Sequence, residues 1–148
     1  VLGYSPILRK NIIDVPDVGI LNAHPGLLPE YRGINTIQWA VYNGDDVGVT
    51  IHFIDKGVDT GPIIARKVIA IHQSDTLTSL AKKIEITAAE LMSDAIISIN
   101  NGEEITLLPQ DADMGKQYYR MPAKLVRETK RKLKERINMM SKSSKRTG

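Results

Sequence analysis

Apolar and polar positions along the chain follow two periods, one typical of strands and the other typical of helices. Short apolar and β-branched runs predict strands at residues 1–4, 19–23, 47–54 and 63–71, and a short edge strand at 103–109. Apolar positions three and four residues apart predict helices at about 7–13, 36–43, 77–99 and 123–141. Strands and helices therefore alternate along most of the chain.

The clearest of these elements is the third helix, whose apolar stripe runs along one face from Leu77 to Ile99. Ser74-Asp75-Thr76 supplies capping residues before it, and Asn101-Gly102 is a typical end. The last helix is strongly basic and has only a partial apolar stripe. Residues 141–148, which read SKSSKRTG, are expected to be disordered.

This order of elements predicts an α/β fold with a mostly parallel, open sheet. Only three or four strand signals precede the long helix, which is fewer than such a sheet usually has. The chain is therefore expected to be part of a doubly wound, Rossmann-like domain. Its body is expected at 1–109, and 110–148 is expected to form a linker and a basic helical tail.

Charge is divided unevenly between these two parts. Residues 124–148 contain ten Lys and Arg against two Glu, whereas the first 123 residues contain ten basic and fifteen acidic groups. The tail admits three interpretations: a solvated helix face, contact with RNA phosphates, or attachment to a membrane surface. The first is the commonest, and the thin apolar face disfavours the third.

Composition excludes several chemistries. The chain has no Cys, so disulfides, thiolate catalysis and thiolate zinc sites are excluded. Its three His have no paired spacing, and no metal site is expected. No apolar run approaches the ~18 residues of a membrane span, and the N-terminal residues do not resemble a secretory signal. A cytoplasmic location is expected.

The candidate catalytic residues lie between positions 20 and 64. Asn22 and His24 point to the same side of a predicted strand, and Asp59 follows the next strand. At the carboxyl ends of parallel strands the three would converge on one crevice. They suit acyl or formyl transfer to an amine: the Asn22 amide stabilises the oxyanion, His24 moves the proton, and Asp59 holds the imidazolium or orders a water.

A structural interpretation competes with this one. A single His beside a Pro-Gly turn is more often structural than catalytic. Asp59 is also a typical turn residue, and Asn22 can satisfy backbone groups at a strand end. Periodicity alone does not bring the three together.

Two segments favour the catalytic interpretation over the structural one. Residues 19–34, GILNAHPGLLPEYRGI, and 48–64, GVTIHFIDKGVDTGPII, resemble the signatures of the 10-formyltetrahydrofolate-dependent formyltransferases. The resemblance covers about residues 1–102 and implies the catalytic, C-terminal half of a Rossmann-like formyltransferase domain, because that family's first strands and helices would precede Val1. It implies 10-formyltetrahydrofolate as co-substrate and places Asn22, His24 and Asp59 at the family's catalytic positions.

The resemblance also implies an apolar folate pocket. His52 shares a predicted strand face with Thr50 and Ile54 and is expected to be supporting structure, with contact to the site as the alternative, and His72 is expected on the surface. The residues expected to line that pocket are Val1, Ile7, Leu8, Ile20, Leu27, Leu28 and Ile54. The expected acceptor is methionyl-tRNA or a nucleotide-linked amino sugar. Two alternatives stay open: a glycinamide ribonucleotide formyltransferase of purine synthesis, and a non-catalytic fragment that binds folate or RNA.

Overall fold

A computed structural model describes residues 8–111 and 113–144, except the side chains of 143 and 144. Its strands are β1 Leu21–His24, β2 Tyr31–Gly33, β3 Val47–Phe53, β4 Ile63–Ile69 and β5 Lys116–Tyr118. Its helices are α1 Lys10–Ile13, α2 Thr36–Asn43, α3 Leu77–Asn100 and α4 Ala123–Ser144. The strand predicted at 1–4 lies outside the described residues.

Most predicted elements are present, with shifted ends. The fourth helix extends through Ser144, so the expectation of disorder is wrong for 141–144, and 145–148 lie outside the described residues. Residues 103–109 form no strand; Leu108 makes only an isolated bridge to Ile63. Two three-residue strands, β2 and β5, were not predicted, because each is too short to show a period.

The main sheet has the strand order β1-β3-β4, and both pairings are antiparallel. Parallel pairing among the described residues is confined to β2 and β5. The prediction of a mostly parallel sheet is therefore wrong for this part of the chain. The loop between β3 and β4 spans only 54–62, whereas a parallel connection needs a crossover of about a dozen residues or more.

The core lies between this sheet and α3. Val49 and Ile51 of β3 are fully buried, as are Leu80 and Ile84 of α3. The side chain of Thr76 accepts a hydrogen bond from the backbone N–H of Ser79 and so caps α3. Because α3 covers one face of the sheet, the polar side chains of β1 and β3 are left on the other.

The C-terminal helix packs against α2. Leu133 and Ile137 are buried there, and Lys132 Nζ donates a hydrogen bond to the Tyr42 carbonyl at 2.8 Å. Arg136 donates to the Asp45 carbonyl at 2.6 Å. These cations satisfy carbonyl groups at the C-terminal end of α2, where negative partial charge collects. The boundary at 109/110 stays a prediction.

None of the helices in the described residues has the length and apolar character needed to cross a bilayer.

Candidate active site

A cavity of about 470 Å³ opens on the face of the sheet opposite α3. Asn22, His24 and Asp59 all line it. The structure therefore brings together the three side chains that the sequence singled out. Their roles in catalysis stay a prediction.

Cross-strand pairing in the antiparallel sheet places four polar side chains. Asn22 lies directly opposite His52, and His24 lies opposite Thr50. Directly opposed residues share one face of a sheet, so all four point to the cavity side. Thr50 is fully buried and holds the turn after β1, donating to the Gly26 carbonyl at 2.7 Å and accepting from the Leu28 N–H at 3.1 Å.

Asp59 lies in the loop 54–62 between β3 and β4, and its carboxylate lies near His24 and His52. Asp59 has a left-handed backbone conformation, with φ of 53°, and its Oδ2 accepts the Gly33 N–H at 2.8 Å. Gln110 braces the loop by donating to the carbonyls of Asp59 and Gly61, at 3.0 and 2.7 Å. The carboxylate is thus held in place by two other parts of the chain.

The hydrogen bonds of His24 identify the nitrogen available for proton transfer. Its Nε2 lies 2.6 Å from the Tyr31 carbonyl oxygen, which only accepts, so Nε2 carries a proton. Its Nδ1 lies 3.5 Å from Asp59 Oδ2. In the neutral ring Nδ1 therefore has the free lone pair, and a proton taken up there sits beside a carboxylate.

Burial and charge act on His24 in opposite directions. Burial is the larger effect and lowers the pKa of His24 below 6.5, against the Asp59 charge and the Tyr31 hydrogen bond, which raise it. The ring is therefore neutral near pH 7 and able to accept a proton.

Asp59 stays ionised in the same pH range. Burial raises the pKa of its carboxyl, but contacts with His52, His24 and the Gly33 N–H outweigh burial and leave the pKa below 3.8. The site therefore pairs a neutral imidazole with a carboxylate.

These two pKa shifts predict how stability depends on pH. Unfolded His24 takes up a proton near pH 6.5, whereas the folded ring resists protonation until a lower pH. The free energy of unfolding should therefore fall between about pH 7.5 and 5.5, with a contribution from this group of at most about 1.4 kcal/mol per pH unit. Asp59 is ionised in both states through most of this window, since its ordinary pKa is 3.8.

Urea unfolding at the two pH values measures this effect. The free energy of unfolding of His24→Gln should fall less between these pH values than that of the unsubstituted chain, because the variant lacks the titrating ring. An equal fall in both would contradict the assigned burial of His24. His72→Gln is the matched control, since that ring lies on the surface as predicted.

His52 contributes more to the site than the sequence suggested. It is almost fully buried, its Nδ1 lies 2.7 Å from the Phe53 carbonyl oxygen, and its Nε2 lies 3.2 Å from Asn22 Nδ2. The Phe53 carbonyl places the proton on Nδ1, so Nε2 accepts the Asn22 amide. His52 Nε2 also lies 3.6 Å from Asp59 Oδ1. His52 therefore fixes the direction of the Asn22 side chain and contacts Asp59.

The residues expected to bind folate divide into three groups. Leu8 and Ile54 line the cavity. Leu28 is fully buried, Leu27 is nearly so and Ile20 is half-buried, and these three are not among the residues that line the cavity. The remaining two, Val1 and Ile7, lie outside the described residues.

One wall of the cavity was not predicted from the sequence. Gln117, Tyr118 and Tyr119, from β5 and the residue after it, line its far side. The Tyr118 ring stacks on Tyr31 with ring centroids 4.9 Å apart, and Trp39 Nε1 donates to the Tyr119 carbonyl at 2.8 Å. The adjacent tyrosines were the available signal, but nothing in the local pattern indicated that β5 pairs with β2.

Gly26 gives a test of how tightly His24 is held. A Cβ at this position would lie 2.8 Å from His24 Nε2 and 2.9 Å from the Tyr31 carbonyl oxygen. Gly26→Ala should therefore displace the imidazole and lower kcat/KM for the reaction of this site by about 10- to 100-fold, since a misplacement of about 1 Å can cost that much.

Gly44→Ala is the control for that substitution. Gly44 has a φ of 86°, but its Cβ would meet no atom within 4 Å. The control should lose about 1–2 kcal/mol of stability from backbone strain and keep its activity. Equal activity losses in the two variants would show that instability, and not displacement of His24, is the cause.

Metal binding has no support in the described part of the chain. Across residues 8–111 and 113–144, no group of three His, Asp or Glu side chains could hold a metal ion.

Comparison with known proteins gives one consistent family. A family model described as "Formyl transferase" matches residues 1–96. A methionyl-tRNA formyltransferase of Thermodesulfovibrio yellowstonii is 42% identical over 115 residues, which cover 77% of this chain and 37% of the relative. One from Caldanaerobacter subterraneus is 34% identical over 145 residues, covering 90% of this chain and 47% of the relative. The chain thus spans less than half the length of these two curated relatives.

Solved structures match as well. A formyltransferase from Anoxybacillus kamchatkensis, in complex with UDP-4,6-dideoxy-4-formamido-L-AltNAc and tetrahydrofolate, has 29% identity and a TM-score of 0.70. The match covers 78% of this chain and 60% of that one. Glycinamide ribonucleotide transformylase 1 from Symbiobacterium toebii has 30% identity and a TM-score of 0.63, covering 74% and 54%. These neighbours support a Rossmann-like α/β fold.

Proposed function

The chain belongs to the formyl transferase family, and from that premise we propose that it transfers a formyl group from 10-formyltetrahydrofolate to an amine. The observation that carries the proposal is the convergence of Asn22, His24 and Asp59 on one cavity, with His24 Nδ1 3.5 Å from Asp59 Oδ2. The tetrahydrofolate in the Anoxybacillus structure supports the choice of donor.

The proposed reaction begins with attack of the acceptor nitrogen on the formyl carbon. A new C–N bond forms and negative charge develops on the formyl oxygen. The Asn22 side chain has two N–H donors, of which one points to His52. The second stabilises the developing oxyanion.

Proton movement completes the transfer. His24 Nδ1 takes the proton that the attacking amine loses, and the Asp59 carboxylate stabilises the resulting imidazolium. The bond from the formyl carbon to the folate nitrogen then breaks, and the His24 imidazolium gives its proton to that nitrogen, which returns the ring to the neutral form. No side chain of the protein acts as a nucleophile in these steps, in keeping with a chain that has no Cys.

Leu8, Ile54 and the loop residue Val58 form one apolar part of the wall and are proposed to contact the folate ring system. The opposite wall, with Gln117 and Tyr119, is proposed to face the acceptor. Residues 1–109 are proposed to be the catalytic half of the domain. A cytoplasmic location, expected from the sequence, belongs to the same proposal.

Methionyl-tRNA or a nucleotide-linked amino sugar is the proposed acceptor. The curated relatives that act on methionyl-tRNA favour the first, and the Anoxybacillus structure with its UDP-linked formamido sugar favours the second. The likeness to the Symbiobacterium enzyme keeps glycinamide ribonucleotide as the alternative.

The experiment mixes the purified 148-residue chain with 10-formyltetrahydrofolate and each of the three acceptors, and follows release of tetrahydrofolate. Acceptor-dependent release supports the proposal and identifies the acceptor. Folate binding without release of tetrahydrofolate, whichever acceptor is added, would overturn it in favour of a non-catalytic chain that binds folate.

A further inference from the structure

We propose that the exposed basic face of α4 binds the phosphate backbone of an RNA strand. This face consists of Lys124, Arg127, Lys130, Arg131, Lys134 and Lys142, all of them exposed. At 3.6 residues per turn these six positions fall within an arc of about 120°, so the cations project from one side of the helix. The surface is separate from the cavity, and its binding does not depend on formyl transfer.

Few of these cations are neutralised within the protein. Arg131 pairs with Glu135 at 2.5 Å and with Glu128 at 3.8 Å. Among the described residues, none of the other five has a hydrogen bond, ion pair or ring contact with another side chain. Five clustered positive charges therefore remain available to an external anion, and each phosphate they bind releases condensed counterions.

The opposite side of α4 argues against a membrane as the partner. Leu133 and Ile137 are buried against the rest of the protein, and Lys132 and Arg136 bond to carbonyl groups at the end of α2. A helix that lies in a membrane interface needs an exposed apolar face. In α4 most of that face is already occupied, which favours a phosphate chain over a bilayer.

The length of the basic face suits a polyanion and not a small nucleotide. From Lys124 to Lys142 the helix rises about 27 Å, long enough for several successive phosphates of one strand to lie along it. A single diphosphate would engage only one or two of the cations. The face also begins close to the cavity, because the Asn35 side chain, which lines the cavity, accepts the Met121 N–H at 2.9 Å.

The test measures binding of a fluorescent, unstructured 20-nucleotide RNA to the full chain by anisotropy between about 50 and 200 mM salt. Each phosphate contact adds about −0.7 to the slope of log K against log salt for a single strand. Lys130→Gln/Lys134→Gln should therefore make the slope shallower by about 1.4 and weaken binding. Lys67→Gln/Lys82→Gln, which removes two exposed lysines of β4 and α3, should leave slope and affinity unchanged.

Equal slopes for the two double variants, or no RNA binding by the unsubstituted chain, would overturn the proposal. So would binding to phosphatidylserine vesicles that exceeds binding to RNA at the same salt concentration. Circular dichroism melts check the fold of each variant, and Lys124→Gln/Arg127→Gln repeats the test if the first double variant is unstable. Formyl transfer to a small amine is measured separately, so failure of either proposal leaves the other standing.

Discussion

His24→Ala is expected to lower kcat/KM for formyl transfer by 10²-fold or more, the usual scale for loss of a proton-transfer group. The ring is 2% exposed, its Nε2 is held by the Tyr31 carbonyl, and its Nδ1 faces Asp59. Removing it takes away both the proton acceptor and the partner of the carboxylate. Tetrahydrofolate release under subsaturating acceptor measures the effect.

The matched control is His72→Ala, which removes an exposed imidazole of the same chain. Its kcat/KM should stay within about twofold of the unsubstituted value. A His24→Ala protein that remains folded by circular dichroism and turns over at the control's rate would contradict the proposed role of His24.

Asp59→Asn is expected to produce the second large effect, again of about 10²-fold on kcat/KM, together with a shift in the pH profile. The Asp59 charge raises the pKa of His24, in opposition to burial. Without that charge the pKa of His24 drops further, so the acid limb of the kcat/KM profile should move to lower pH. The activity that remains on the plateau should be low, because no carboxylate stabilises the imidazolium.

Asp94→Asn supplies the control for this charge change. Asp94 lies on the exposed side of α3, outside the cavity lining. It should alter neither the plateau nor the position of the acid limb. An acid limb that moves to higher pH in Asp59→Asn would contradict the assigned sign of the Asp59 interaction.

Much of the candidate site could be predicted from local sequence signals. Asn22 and His24 are two apart on a strand, and that spacing alone puts them on one face. The two segments of family resemblance then marked Asp59 as the third member. All three line the same cavity.

The reason given for their convergence was wrong. It assumed the carboxyl edge of a parallel sheet, whereas β1 and β3 are antiparallel. Asn22 is placed by its pairing opposite His52, and Asp59 arrives through a loop that Gln110 braces. Strand pairing is a long-range property, and the nine-residue connection at 54–62 was the one local sign of it.

The contribution of β5 could not be predicted for a related reason. Strands of three residues have no readable period, and β2 and β5 are separated by more than eighty residues of sequence. The helical tail was predicted correctly as a helix, but its packing on α2 depends on Leu133 and Ile137, which form only part of a stripe. Partial stripes show that a helix is amphipathic without showing what covers it.

We propose that His24 is a neutral base whose Nδ1 faces Asp59 inside the cavity. The most direct measurement is a long-range proton–nitrogen NMR spectrum of the histidine rings near pH 7, without and with 5-formyltetrahydrofolate. We expect His24 to carry its proton on Nε2 and its Nδ1 resonance to move when the folate analogue binds. A proton on Nδ1, or a His24 spectrum unchanged at saturating analogue, would contradict it.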